Sequence, residues 1–164
     1  MHTLSTLGIV HTVISLAAIP FGVAALVKAG RIDVGSVVGR AYVALAFVGA
    51  VTAFGVIKTP QGMGLTVLTL VALATGVAAH AGVFGKVRAA VVETIAMTVS
   101  LFFVLLPGAT ETVTRLPVDA PFAAAPDAPV ALAVQGALFA ALVAGIVLQL
   151  RRTPVLARSI RAGG

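Results

Sequence analysis

Apolar residues run almost without a break from about Gly8 to Val27, where the polar cluster KAGRID stops them. The same pattern of a long apolar run closed by short polar punctuation recurs over about Ala41–Ile57, Met63–Val83, Ala89–Leu106 and Ala128–Leu150. Such runs approach or exceed the roughly 18 residues that mark a spanning helix. Hydrocarbon offers no water to backbone N–H and C=O groups, so each run must satisfy its own hydrogen bonds and is predicted to be helical. The pattern thus predicts an all-α integral membrane bundle of about five transmembrane helices, over 8–27, 41–57, 63–83, 89–106 and 128–150, in a single domain spanning 1–164. The second run is the shortest. Pro20 is expected to kink the first helix by removing a hydrogen bond. Between the fourth and fifth runs, GATETVTRLPVDAPFAAAPD holds Pro117, Pro121 and Pro126 and is expected to be irregular.

Composition supports the membrane class. Hydrophobic residues make up 60% of the chain and charged residues only 10%, and the mean hydropathy is +1.14, above the range of a soluble domain. Cysteine is absent, which excludes disulfides, thiolate metal sites and cysteine catalysis. The net charge of +6 would suggest nucleic acid in a soluble protein. Here the basic residues gather at the ends of apolar runs, so lipid headgroups are the expected partner and nucleic acid is not. Nothing basic precedes the first run and its apolar stretch is too long for a signal peptide, so it is expected to be retained.

Charge asymmetry orients the spans. With the tail RRTPVLARSIR inside, Lys28, Arg31, Arg40, Lys86 and Arg88 join Arg151, Arg152, Arg158 and Arg161 on the same side, nine of the eleven basic residues. Only Lys58 and Arg115 fall outside. The expected topology is N-terminus outside and C-terminus inside, in a cell inner membrane.

Polar residues within the spans are the candidates for function. In HAGVFGKVRAAVVE, His80 lies about one turn before a tight basic hairpin and Glu93 one to two turns after it. At 1.5 Å per residue the two reach similar depths on neighbouring helices. An intramembrane carboxylate is costly and needs a named partner; the expected partner is His80, with Lys86 or Arg88 competing. The pair is read either as a proton or ligand site or as a structural clasp, with Glu93 reaching the headgroups as the plainer alternative. His11, with Ser15 four residues on, shares the outer half of the bundle with Thr52, Thr66, Thr69 and Gln135. Together these are expected to line a polar cavity or to act as interhelical glue. Small residues at Gly76, Ala79 and Gly82, and at Gly136, Ala140 and Ala144, suit close helix packing. Phosphate-loop, zinc-protease and nucleophile-elbow motifs are missing, and no metal-ligand cluster is legible. Bound haem b is not expected: His11 and His80 sit at opposite faces, roughly 20 Å apart along the helical rise. His2 is the remaining histidine, on a terminal segment.

The first two spans resemble a family of small bacterial membrane proteins known as a domain of unknown function. The shared features are His11 in HTVISLAAIPFGVAALVKAG, Lys28 at its inner end, and Gly39, Arg40 and Tyr42 in GRAYVALAF. Members carry a histidine–arginine pair before that glycine, where this chain has Val37 and Val38. The resemblance implies a multi-pass bundle with His11 and Arg40 as family positions, and brings no established reaction.

Three function classes follow. The first is a small transporter- or sensor-like bundle with a polar intramembrane cavity, and it is not expected to be an enzyme. The second is an accessory membrane subunit of a larger respiratory or redox complex. The third is a haem- or quinone-linked oxidoreductase. Homo-oligomers or partner membrane subunits are expected beside the lipid bilayer.

Overall fold

The computed structural model describes residues 5–152, leaving aside the side chains of Lys86 and Val87. His2, Arg158 and Arg161 lie outside the described residues. The fold is all-helical: α1 (Thr6–Ala29), α2 (Val37–Val56), α3 (Pro60–His80), α4 (Gly85–Arg115) and α5 (Pro129–Arg152). All five are long and apolar enough to cross a membrane. α1 continues through Pro20.

Local chemistry fixes the helix ends. Ser5, Ser36 and Thr59 each accept, through the side-chain hydroxyl, from a first-turn N–H that has no partner within the helix, at Gly8, Gly39 and Gly62. Pro60 occupies the start of α3, where its missing N–H costs nothing. Gly30 ends α1 in the left-handed region, φ 71°, with its N–H returned to Leu26. The α3–α4 connection takes only residues 81–84, and Gly82 and Gly85 turn it tightly at φ 86° and 74°. Gly82 therefore belongs to the turn, and α3 stops at His80 instead of running to residue 83.

The fourth helix is longer than its apolar pattern predicts. It passes Pro107 and takes in Gly108–Arg115, the first part of the stretch expected to be irregular. The hydroxyls of Thr110, Thr112 and Thr114 return to the carbonyls of Leu106, Gly108 and Thr110, so this polar segment satisfies itself without leaving the helix. An Arg115–Glu111 ion pair one turn apart closes it.

Antiparallel neighbours α1–α2, α3–α4 and α4–α5 form the main contacts, α2 meets α3, and α1 meets α4. Four helices thus enclose a core of Ala18, Ala25, Tyr42, Ala46, Leu73, Met97 and Leu101. Small residues set the spacing. A Cβ at Gly22 would lie 2.8 Å from Leu101 Cδ1 and 3.1 Å from the Tyr42 ring, so α1 sits against both because it lacks one. Gly76 likewise faces the buried Met97 side chain. α5 packs mainly on α4, and only 6% of its most apolar window is buried; Gly136 on it has nothing within 4 Å of where a Cβ would stand.

The chain direction places the α1–α2 loop, the α3–α4 turn and the end of α5 at one end of the bundle. This basic end carries Lys28, Arg31, Arg40, Lys86, Arg88, Arg151 and Arg152 among the described residues, against Lys58 and Arg115 at the other.

Candidate functional site

The α1–α2 loop is built by alternation. Ile32 and Val34 turn inward and are buried, while Arg31 and Asp33 remain half-exposed. Asp33 Oδ1 accepts from the Gly35 N–H at 2.8 Å, and the Asp33 carbonyl accepts from Ser36 Oγ at 2.8 Å. Such an aspartate turn running into a serine cap holds the loop folded over the helix ends. Gly39 makes this possible, because a Cβ there would collide with the Asp33 carbonyl.

Glu93, nine-tenths of the way to full burial and beyond at 4% exposure, stands on α4 under this loop. Its Oε1 accepts from the Val34 N–H at 2.8 Å and lies 3.4 Å from His80 Nδ1 at the end of α3. Its Oε2 is 3.9 Å from Arg31 Nη1, and Arg31 Nη2 reaches Asp33 Oδ2 at 3.3 Å. The expected His80–Glu93 proximity is present. Among the described residues, Arg31 and not the expected competitor Arg88 forms an ion pair with Glu93, and the side chain of the other expected competitor, Lys86, lies outside the description.

The fold also gathers donors that no linear spacing announces. One ligand atom each from Asp33, His80 and Glu93 lie within 4.8 Å of one another. The sequence shows no metal-ligand cluster because these residues come from a loop and two helices. His80 is the accessible member, its side chain 43% exposed. A Cβ at Gly35 would stand 2.9 Å from His80 Cε1, so the loop backbone lies directly on the imidazole.

The other candidates fall in separate places. His11 Nδ1 lies 3.0 Å from the Gly49 carbonyl and 3.1 Å from Thr52 Oγ1 on α2. Since a carbonyl only accepts, the Nδ1–H donates to it. Ser15 packs on the same Gly49, where a Cβ would be 2.8 Å from its Oγ. Thr66 and Thr69 return their hydroxyls to Gly62 and Leu65 of their own helix. Gln135 Nε2 donates to the Pro126 carbonyl at 3.0 Å and to Thr110 Oγ1 at 3.4 Å, tying α5 to α4 and its preceding loop. His11 and Gln135 thus act as helix-to-helix and helix-to-loop ties, whereas Thr66 and Thr69 bond within their own helix. Arg40 is exposed beside an apolar groove of about 640 Å³ between α2 and α3, lined also by Val34, Val43, Phe47, Leu73 and Val77.

Two further polar contacts were not singled out by sequence pattern. Tyr42 OH and Ser100 Oγ are 2.8 Å apart in the core, and Ser100 Oγ donates to the Met97 carbonyl. Thr98 donates to Gln149 Oε1 at 3.1 Å, linking α4 to α5. Their signal is a lone polar residue within an apolar run. Among the described residues, no buried side-chain nitrogen or oxygen lacks a partner.

Comparison with family models, with curated proteins and with solved structures finds no match. The family resemblance of the first two helices therefore rests on His11, Lys28, Gly39, Arg40 and Tyr42 alone.

Proposed function

We propose that this chain is a multi-pass inner-membrane protein of the transporter or sensor kind, without enzymatic activity, and that the Glu93 centre is its responsive element. The observation that carries this reading is a buried carboxylate in an apolar helix, α4, held by groups from the α1–α2 loop and α3 at once. A charge in such a position is expensive, and residues of this kind mark ion or proton pathways and switches in membrane proteins. Removing or adding a cation beside Glu93 changes how firmly the loop is held, and the half-exposed His80 gives that cation a route from the aqueous side. The excess of basic residues at this end supports a cytoplasmic position for it.

The absence of native cysteine makes the test direct. Val34→Cys puts a thiol on the buried side of the loop while preserving the N–H that Glu93 accepts. Its alkylation in membranes by a water-soluble maleimide is expected to be slow, and faster by about tenfold or more with Glu93→Gln, which corresponds to loss of about 1.4 kcal/mol of loop closure. Equal labelling rates in the two backgrounds would refute the reading.

A second reading has support of its own. α5 is little buried and exposes Leu132, Phe139, Val143 and Val147, as an accessory subunit seated against a larger membrane partner, or a homo-oligomer, would require. The haem-linked reading gains nothing, since His11 and His80 lie at opposite ends of the bundle.

A further inference from the structure

We infer that Asp33, His80 and Glu93 form a binding site for a divalent first-row transition-metal ion of the zinc or manganese type. The inference rests on the reading of this centre as cation-responsive and names its ligand.

Charge balance is the first argument. Asp33 and Glu93 contribute two negative charges, and Arg31 is the guanidinium bridging them, at 3.3 Å and 3.9 Å. With His80 neutral, the group retains one unit of negative charge, next to an imidazole and partly buried. An added cation is the natural complement.

Geometry is the second. Donors bound to one tetrahedral ion at about 2.1 Å stand roughly 3.4 Å apart. His80 Nδ1 and Glu93 Oε1 already hold that spacing, 3.4 Å. Asp33 sits on the loop, so a side-chain rotation and a small loop movement bring it from within 4.8 Å to bonding distance. Arg31 pairs with Glu93 through Oε2, while Oε1 faces the histidine and also accepts the Val34 N–H at 2.8 Å, so an ion would use the second lone pair of that oxygen. The Arg31 and Val34 contacts would then orient the ligand carboxylate from outside the ion's own shell.

Donor chemistry selects the ion. One imidazole and two carboxylates suit zinc, iron or manganese, whereas magnesium prefers oxygen alone and keeps its waters. Three protein donors leave a fourth position open, toward the exposed side of His80. Occupancy would pin the α1–α2 loop to α3 and α4, so the ion acts on the same element that Glu93 holds.

The test uses untagged protein, purified in mild detergent and stripped with a chelator, then titrated with zinc against a chromophoric chelator. One zinc per chain is expected, with equal concentrations of magnesium failing to compete. Asp33→Asn, His80→Ala and Glu93→Gln are each expected to weaken binding by about tenfold or more, while His11→Ala leaves it unchanged. Cobalt substitution should give a visible absorption band that His80→Ala removes. Should Glu93→Gln fail to fold, Asp33→Asn and His80→Ala decide, since both side chains are partly exposed. Absence of zinc binding, or binding equally strong in Asp33→Asn and His80→Ala, overturns the inference. If zinc does not bind but Val34→Cys labelling still depends on Glu93, the metal assignment fails alone. If that labelling is indifferent to Glu93, the responsive-element reading fails, whatever zinc does.

Discussion

Replacing Glu93 in two ways separates its charge from its hydrogen bond. Glu93→Gln keeps an amide oxygen where Oε1 accepts the Val34 N–H at 2.8 Å, and loses the charge facing Arg31. A charge-assisted hydrogen bond contributes about 1.5–3 kcal/mol and a neutral one about 0.5–1.5, so the amide is expected to cost about 1–1.5 kcal/mol. Glu93→Ala removes the acceptor altogether. The Val34 N–H, buried beneath the loop, is then left unpaired at about 1–3 kcal/mol, and one buried methylene goes at about 0.8 kcal/mol. The alanine variant should therefore be the weaker by about 1.5 kcal/mol. His80→Ala is discounted because its side chain is 43% exposed, and is expected to cost about 0.2–1 kcal/mol. Combined with Glu93→Gln it should lose less than the sum, by about 0.5 kcal/mol. Reversible unfolding in mixed detergent micelles measures all four variants. Equal losses for Gln and Ala would show that the Val34 bond contributes nothing, and strict additivity with His80→Ala would show that the two side chains do not interact; either result refutes the clasp as described.

Gly39→Ala places a methyl group against the Asp33 carbonyl, a backbone atom that cannot rotate away. The expected cost is about 1–3 kcal/mol or more, and Val34→Cys should label faster in this background although no charged residue has changed; unaltered labelling would contradict the tight loop. Reporter fusions are expected to place residue 164 in the cytoplasm and residues 112–125 on the opposite side, and an outward C-terminal reporter would reverse the proposed orientation.

The five helices were legible because each is apolar over the length that a membrane span needs, a pattern that leaves its mark residue by residue. The extension of α4 to Arg115 was not, since Pro107 and the threonines read as punctuation. Their hydroxyls turn back onto the helix only when neighbouring carbonyls are already in place. The nearness of His80 and Glu93 followed from helical rise and a short hairpin. Arg31 and Asp33 were visible only as charges marking the end of a span. Their roles depend on a loop, where no periodicity says which way a side chain points. The sequence DVGS did carry the local clue, an aspartate two residues before a glycine and three before a capping serine. What it could not convey is that Ile32 and Val34 anchor that turn over another helix sixty residues away. Gln135 and the outer threonines were correctly noticed as polar, but pattern alone does not distinguish residues lining one space from residues tied off separately.

The order of the donors along the chain has a consequence for synthesis. Arg31, the Val34 N–H and His80 all precede Glu93, and α5 follows it. On the proposed membrane reading, the carboxylate of a chain inserted segment by segment is the last part of its own centre to reach the bilayer. It arrives where an arginine, a histidine and a free amide are already waiting, so the most costly side chain in the spans need never enter lipid alone. Among the described residues, the polar partners of Glu93 all precede α5. A nascent protein paused before its fifth helix would already own these contacts, and that helix remains available for assembly decisions made later.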